Sequence, residues 1–444
     1  MSFTSPVFLF AFLPLTVIVY QLARSTKLKN AVWIAAGLLF YVFGDLRHLP
    51  LLLGSCLLHY GAGRYLMART KARRAVLLSC VTLDLAVLAF YKVRGALPLG
   101  ISFYTFQAIS YVADTYKNPA DGTKNLREAL QYLTFFPQLM AGPFLKFSAL
   151  SPYLGRRDVS WEKNAQGVRR FVCGLCKKAL LSTAAAKLAD AMFSLASIDA
   201  LGAWTGALSY CLQLYFDFSG YSDMALGLGL LFGVQLPENF RYPYCAGSVT
   251  EFWRRWHMTL SGWFRDYVYI PLGGSRKGRA RTVFNKLLVF LATGLWHGTG
   301  WTFVLWGLWH GAFCGAETLL DRNKTLKTHW YGHVYTLLVV IFGFVLFRAE
   351  SVPQALMLLR TMLSGFTPVD ACRLALRNLL TAGTVFWCLA GVLACLPFWE
   401  HAKARFGGSR WLSAVLDTLT IVGLLLCLMQ LASHSFQPFI YASF

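Results

Sequence analysis

Long apolar runs recur along almost the whole sequence, separated by short basic segments. The run from Ala31 to Phe43, for example, carries no charged residue and is apolar on every side. A run that crosses a hydrocarbon layer needs about 20 residues, and its backbone groups are all paired only in a helix or a closed barrel. Because barrel strands alternate apolar and polar residues, these runs predict an all-α, polytopic membrane protein. A mean hydropathy of +0.50 and a charged fraction of 14% fit that class.

The apolar runs predict about 11–13 membrane-spanning helices. We place the runs at 5–23, 31–44, 49–67, 75–91, 97–115, 129–147, 165–195, 203–234, 284–318, 331–348, 373–398 and 411–433. The runs at 165–195 and 284–318 are long enough to form two helices each. The sequence contains no Pro-rich or Ser-rich linker and no evident internal repeat. We therefore predict a single domain over residues 1–444.

Basic residues cluster in the short segments between the runs, at 24–29, 69–74 and 276–286. Membrane proteins retain Lys and Arg on the cytoplasmic side. The first cluster follows the first apolar run, and no basic n-region precedes that run as it would in a cleaved signal. We therefore expect the N-terminus outside and these clusters inside, against membrane lipid. Because the charge is placed this way, the net charge of +22 predicts no nucleic-acid binding.

His297 is the one ionisable side chain in the run from Leu287 to Trp309. Ten largely apolar residues precede it in that run and reach ~15 Å on a helix, about half the hydrocarbon thickness. A buried imidazole at that depth predicts a functional site, although a structural His bound to a neighbouring carbonyl remains the alternative. Nearby glycines allow close backbone approach or a break in the helix: Gly294, Gly298 and Gly300. Two tryptophans offer apolar walls for a substrate: Trp296 and Trp301.

His257 lies in a mixed stretch, from Gln235 to Lys286, that is too polar to cross a membrane and too aromatic for a flexible loop. We expect short amphipathic helices there. On one helix, four side chains share a face: Trp253, His257, Ser261 and Phe264. Two arginines precede His257 and would disfavour its charged form, which leaves a neutral ring able to accept a proton: Arg254 and Arg255. The alternative is an interfacial helix whose arginines reach lipid headgroups.

Other polar residues predict structural roles. The Cys173 and Cys176 pair has a spacing used in metal and redox sites, but no second such pair and no nearby His pair accompanies it. Asp217 and Asp223 are expected to pair with an arginine of the mixed stretch, and His310 to be structural. No serine-hydrolase elbow, HxxxxD, HExxH or Walker A motif is present. A zinc site built on two His would lack a third ligand, so we predict no metal.

Six stretches of the sequence resemble the membrane-bound O-acyltransferase family, in particular its bacterial alginate O-acetylation branch. They are PLGISFYTFQAISYVADTYK (98–117), FFPQLMAGPF (135–144), LQLYFDFSGYSDMALGLGLLFG (212–233), LPENFRYPY (236–244), EFWRRWHMTLSGWFRDYVYIPLGG (251–274) and GLWHGTGWTFVLWGLWHG (294–311). These stretches define a core over residues 98–311. The segments YIPLGG and PFIY (438–441) look more like polysaccharide acetylation than teichoic-acid D-alanylation. The final ASF and Thr299 depart from the family pattern.

The resemblance implies helices arranged around a central funnel, with the family's hallmark His at His297 and its second polar position at His257. It also implies a thioester donor, acetyl-CoA, on the cytoplasmic side of a bacterial inner membrane, with no further cofactor. The acyl group would pass to a periplasmic SGNH-type acyltransferase or esterase partner that modifies a polysaccharide.

These observations lead us to expect a membrane O-acyltransferase in which His297 is the general base. His257, with Arg254 or Arg255, would position the thioester or stabilise the oxyanion. Trp296 and Trp301 would contact the substrate. Two alternatives stay open: D-alanyl transfer from a carrier protein, and a proton-coupled transporter or flippase, which inverted repeats would favour.

Overall fold

The computed structural model describes residues 1–321, 323–406 and 409–433. The regular secondary structure of these residues is helical throughout, which confirms the predicted all-α class. The chain forms two compact units, the first from 1–172 and 221–238, the second from 173–220 and the described residues after 238. The prediction of a single domain is not tested by this division and stays a prediction. The PFIY and ASF segments lie outside the described residues.

The first unit begins with a π-helical turn, Phe8–Phe12, that leads directly into its first helix. Its helices are α1 (Leu13–Leu22), α2 (Thr26–Asp45), α3 (Leu49–Ala68), α4 (Arg73–Arg94), α5 (Ile101–Lys117), α6 (Leu126–Leu133), α7 (Phe136–Leu139) and α8 (Phe147–Gly155). The first five predicted runs match helices within a few residues. The predicted span at 129–147 is wrong, because the chain breaks there into α6, α7 and α8. Pro137 stands in the first turn of α7 and cannot supply the backbone N–H that a continuous helix needs.

Helices α9 (Trp161–Cys176) and α11 (Ala200–Leu231) contribute residues to both units. The second unit contains α10 (Thr183–Ser194), α12 (Val249–Arg255), α13 (Met258–Phe264), α14 (Gly278–His297), α15 (Trp301–Leu319), α16 (Asn323–Lys327), α17 (Trp330–Arg348), α18 (Val352–Ser364), α19 (Asp370–Leu379), α20 (Ala382–Ala394), α21 (Phe398–Phe406) and α22 (Arg410–Ala432). The run at 165–195 is one continuous helix, since a π-helical turn, Lys177–Ser182, joins α9 to α10. The run at 284–318 is two helices, α14 and α15.

Within the described residues, four segments are long and apolar enough to cross a membrane: α2 with α3 (Thr26–Ala68), α4, α17 and α22. Helices α19 and α20, bent by 85° at their break, add a fifth if the pair counts as one span. Only 17% of the apolar window of α4 and 11% of that of α22 is buried within the chain, so their apolar sides are left for lipid. The chain is a multi-pass membrane protein. The count of 11–13 spans and the funnel stay predictions.

Ion pairs connect distant segments of the chain inside each unit. In the first unit Arg170 donates to Asp223 at 2.6 Å and to Glu238 at 2.7 Å. In the second unit Lys178, in the π-helical turn, pairs with Asp217, and both side chains are almost completely buried. Neither of these basic partners is an arginine of the mixed stretch. The basic partners come from the helix 39 to 53 residues earlier in the chain.

Helices α14 and α15 form a hairpin whose close approach depends on glycine. A Cβ atom on Gly294 would collide with the carbonyl oxygen of Phe303, and a Cβ atom on Gly307 would collide with that of Phe290. Small residues of this kind let two membrane helices approach to backbone contact. The predicted roles of the hairpin glycines in backbone approach and in breaking the helix are confirmed for Gly294 and Gly298, since Gly298 ends α14 in extended backbone.

We expect Gly307→Ala to separate the hairpin and to destabilise the protein by about 1–3 kcal/mol, as overpacking does in other cores. Gly54→Ala is the matched control, because Gly54 is also within a helix but a Cβ atom there meets nothing within 4 Å. The control should be neutral or slightly stabilising. Unfolding midpoints in detergent measure both variants, and equal midpoints would contradict the close-packed hairpin.

Candidate active site

His297 is the last residue of α14, and its position follows from the hairpin. Gly298 interrupts the helix directly after it, and α15 begins at Trp301. The His297 side chain is turned into the protein, where the residue is 4% exposed. A histidine predicted inside one apolar run therefore lies at the tip of a helical hairpin, at the end of α14 and directly before extended backbone.

Aromatic rings surround the His297 imidazole. Trp306 and Phe347 both approach it at nearly right angles, with ring centroids at 5.2 and 5.1 Å. Trp296, its neighbour in the chain, lies at 4.8 Å. These rings exclude water and favour the neutral imidazole, because a buried charge is costly in apolar surroundings. A neutral ring is the form that can remove a proton from a hydroxyl group.

His257 occupies a break between α12 and α13, and the predicted helical face is wrong. Its backbone has φ 44° and ψ 52°, a left-handed conformation that is uncommon for a residue with a Cβ atom. The break turns the side chain inward until it is 2% exposed. There the ring lies edge-on to Phe218 with centroids at 4.5 Å. Strained backbone of this kind is often found at functional sites.

Asn239 holds this break and fixes the tautomer of His257. The Asn239 side-chain oxygen accepts hydrogen bonds from the backbone N–H of Thr259 at 3.1 Å and from the Thr259 hydroxyl at 2.9 Å. A backbone N–H can only donate, so the amide atom that faces it must be oxygen. The same oxygen lies 3.2 Å from Nδ1 of His257, which must therefore carry the proton. In the neutral ring the lone pair is then on Nε2.

Trp296 lies beside both histidines. Its ring centroid is 4.8 Å from that of His297 and 6.5 Å from that of His257, and the residue is 7% exposed. The structure thus brings together three residues that the sequence singled out separately, all within the second unit.

The other predicted substrate-binding residues lie differently. Trp301 is 74% exposed, and the rings that lie against the His297 imidazole are those of Trp306 and Phe347. Arg254 is exposed, in the last turn of α12. Whether Trp301 and Arg254 contact a bound substrate stays a prediction.

Arg255 is held by Glu251, one helical turn earlier. Its guanidinium donates to a Glu251 oxygen at 2.7 and 3.2 Å. Partial burial acts to raise the pKa of the Glu251 carboxyl, but hydrogen bonds from the Gly247 amide and from Arg255 lower it, and the net direction is down. Glu251 therefore stays ionised near neutral pH and keeps its hold on Arg255. A substrate that uses Arg255 has to compete with this pair.

Three contributors to the site were missed from the sequence: Asn239, Trp306 and Phe347. Asn239 stands in the LPENFRYPY stretch as an amide among aromatic residues, a signal that could have been used. Phe347 comes from α17, 50 positions after His297, and no local pattern identifies it. In the described residues, no group of three His, Cys, Asp or Glu side chains could hold a metal ion.

We expect Asn239→Ala to reduce turnover, by up to about 10²-fold, because a mispositioned catalytic ring can cost that much. Asn239→Asp keeps an oxygen at the same place and should recover a large part of the lost rate. A merely structural role predicts instead that both variants lose stability and keep their activity per folded molecule. Turnover and unfolding midpoint, measured on the same preparations, separate the two.

The chain is thus an all-helical membrane protein in which two buried histidines lie beside one tryptophan. The model of the membrane-bound O-acyltransferase family matches residues 117–358, more than half of the chain. The chain belongs to this family, and it is an O-acyltransferase. Both histidines lie inside the matched region.

Relatives of the chain include O-acetylating enzymes and a D-alanyltransferase. The chain is 35% identical to a probable alginate O-acetylase of Pseudomonas putida, with 100% of both chains covered. It is also 35% identical to a peptidoglycan O-acetyltransferase of Helicobacter pylori, over 84% of this chain and 81% of that protein. A more distant relative, a teichoic acid D-alanyltransferase of Bacillus subtilis, is 27% identical over 57% of this chain and 69% of its own length.

Proposed function

We propose that this enzyme takes an acetyl or similar short acyl group from a cytoplasmic thioester, acetyl-CoA, and passes it across the membrane for O-acetylation of an extracytoplasmic polysaccharide. A periplasmic SGNH-type protein would be the partner that receives it. The observation that carries the proposal is that two buried histidines both lie beside Trp296, among other aromatic rings. Similarity to alginate and peptidoglycan O-acetylating enzymes supports the choice of acyl group and of acceptor class.

In the proposed reaction His297 removes the proton of the acceptor hydroxyl. The hydroxyl oxygen then forms a bond to the thioester carbonyl carbon, the carbon–sulfur bond breaks, and the sulfur leaves as a thiolate. The imidazolium of His297 returns its proton to that thiolate, so the products are an oxygen ester and a free thiol. The aromatic surroundings of His297 favour the neutral ring that begins this cycle.

The role of His257 follows from its tautomer. With Nδ1 donating to Asn239, a neutral His257 presents an acceptor at Nε2 and cannot donate to an oxyanion unless it is first protonated. This favours a role in holding or passing the proton that His297 removes over the oxyanion role expected from the sequence. Arg254 and Arg255 stay the proposed contacts for the thioester.

D-alanyl transfer from a carrier protein is the second candidate, since a D-alanyltransferase is among the relatives. Both donors are thioesters and both are acidic, so the basic segments of the chain serve either. Purified enzyme supplied with labelled acetyl-CoA or with a D-alanylated carrier distinguishes them through the thiol released. We expect thiol release from acetyl-CoA. Release from the carrier alone would replace the acetyl proposal by the D-alanyl one.

We also propose that the chain lies in a bacterial inner membrane with its N-terminus outside and the segment 276–286 inside. A cysteine introduced into this segment reports on which side of the membrane it lies. Arg276 is exposed and suits such a probe, whereas Gly278 has a left-handed backbone that disfavours a side chain. In intact cells, Arg276→Cys should resist an impermeant thiol reagent and react after the membrane is opened. The unsubstituted chain is the control, because Cys173 is exposed. Labelling of Arg276→Cys from outside would reverse the topology.

A further inference from the structure

Trp306 carries a buried indole N–H group. The residue is 2% exposed, and its Nε1 forms no hydrogen bond within the part of the chain that the structure describes. Three other indole N–H groups donate to backbone carbonyl oxygens at 3.1, 3.0 and 2.9 Å: Trp33 to Gln131, Trp204 to Met362 and Trp309 to Val339. Because a buried donor without an acceptor is destabilising, the N–H group of Trp306 calls for an explanation.

The rings that pack around Trp306 offer its N–H group no strong acceptor. The Trp306 centroid lies 5.2 Å from that of His297, at nearly a right angle, and 5.3 Å from that of Phe347. The rings of Trp253 and His310 lie at 5.5 and 5.3 Å. An aromatic face accepts a hydrogen bond only weakly, and neither nitrogen of His310 forms one in the described residues. Trp306 is therefore a packed donor whose ring lies against that of the proposed general base.

The proposed reaction requires a donor of this kind. When the acceptor hydroxyl attacks the thioester carbon, the carbonyl oxygen becomes an oxyanion, which N–H groups already in place in a water-poor site stabilise. A neutral His257 presents an acceptor at Nε2. Arg254 is exposed, and Arg255 is held in an ion pair one helical turn away. None of these three residues is a buried, unpartnered donor, whereas Trp306 is one.

We propose that Trp306 is a catalytic residue whose Nε1–H donates a hydrogen bond to the oxyanion that forms beside His297. This inference rests on the proposed acyl transfer and adds a group to it. As the new carbon–oxygen bond forms, the π electron pair of the thioester carbonyl moves onto its oxygen, and Trp306 donates to that oxygen while keeping its own proton. When the electron pair returns, the carbon–sulfur bond breaks and the thiolate leaves.

The separation of the two rings agrees with these roles. In the tetrahedral intermediate the attacking oxygen and the oxyanion are bonded to the same carbon atom, so the base and the oxyanion donor have to be neighbours. The rings of His297 and Trp306, with centroids 5.2 Å apart, are neighbours of this kind. Each ring can then reach a different oxygen of one intermediate at hydrogen-bond distance, about 2.7–3.1 Å.

The test measures turnover, donor affinity and unfolding midpoint on the purified full chain. The labelled donor is acetyl-CoA, or the D-alanylated carrier if the native chain cleaves only that thioester. Position 306 is changed in two ways: by Trp306→Phe, and by incorporation of 3-benzothienylalanine, which keeps the bicyclic shape and has sulfur in place of the N–H group. Trp309→Phe is the matched control, because it removes an N–H group of the same helix that donates to a backbone carbonyl. Trp253→Phe removes a second buried N–H group without an acceptor, and His297→Ala is measured beside them.

We expect both changes at position 306 to lower turnover by about 10²-fold, as the loss of one oxyanion donor does, with little change in donor affinity. Trp309→Phe should lower the unfolding midpoint and keep the turnover of each folded molecule, and Trp253→Phe should cost less turnover than Trp306→Phe. Native turnover with benzothienylalanine at position 306, a loss confined to donor affinity, or a larger loss in Trp253→Phe would overturn Trp306 as the donor. Cleavage of neither thioester by the native chain, or full activity of His297→Ala, would instead overturn the proposed reaction itself.

Discussion

Replacement of His297 by alanine should lower acyl transfer by about 10²–10⁴-fold, the usual contribution of a general base. The rings of Trp306 and Phe347 enclose the imidazole, with centroids 5.2 and 5.1 Å from its own. Measurement of acetyl-CoA cleavage by purified protein, with its unfolding midpoint determined beside it, separates lost chemistry from lost folding.

His310→Ala provides the matched control, because His310 is also a buried histidine of the same hairpin. It is fully buried, and its ring lies edge-on to Trp253 at 5.0 Å. The control should lose packing and stability while each folded molecule keeps its activity. Near-normal acyl transfer by the His297→Ala protein would remove His297 from the reaction.

Replacement of His257 by alanine should give the second large loss, and that loss should lie in turnover. Residues that act as one unit are not additive, so the double variant should be no worse than His297→Ala alone. The hydrogen bond to Asn239 fixes the His257 ring, which lies beside Trp296 as the His297 ring does.

An interfacial anchor at this position predicts a different pattern. Removal of such an anchor lowers the unfolding midpoint but leaves the rate per folded molecule unchanged. Additive losses in the double variant would mean that the two histidines act independently. Full specific activity in a well-folded His257→Ala protein would exclude it from the reaction.

The identity of the principal histidine could be predicted because its signal is local. His297 is an ionisable residue in an otherwise apolar run, and the glycines around it mark the break that the structure shows. The helical limits of most apolar runs could be predicted for the same reason. The 129–147 span was mispredicted although Pro137 is visible in the sequence, because a long apolar run outweighed a single helix breaker.

The conformation of His257 could not be predicted, because it depends on a contact that is distant in sequence. The periodic spacing around it favours one helix, but Asn239 binds the backbone N–H of both Met258 and Thr259 and holds the turn open. The walls of the site depend equally on tertiary packing. Trp301 and Trp306 are both tryptophans of one helix, and only the packing against α17 decides which of them is buried.

The central claim is that an acyl group passes from a thioester donor on one side of the membrane to an acceptor hydroxyl on the other through His297. Proteoliposomes test it directly, with labelled acetyl-CoA outside, a polysaccharide and its SGNH-type acceptor protein inside, and inward-facing and outward-facing enzyme populations separated. We predict that labelled oxygen ester forms in the lumen. Its formation should require His297 and enzyme molecules whose donor side faces the outside of the vesicle. Thiol release with all of the label remaining outside, or equal lumenal label with His297→Ala, would contradict the account.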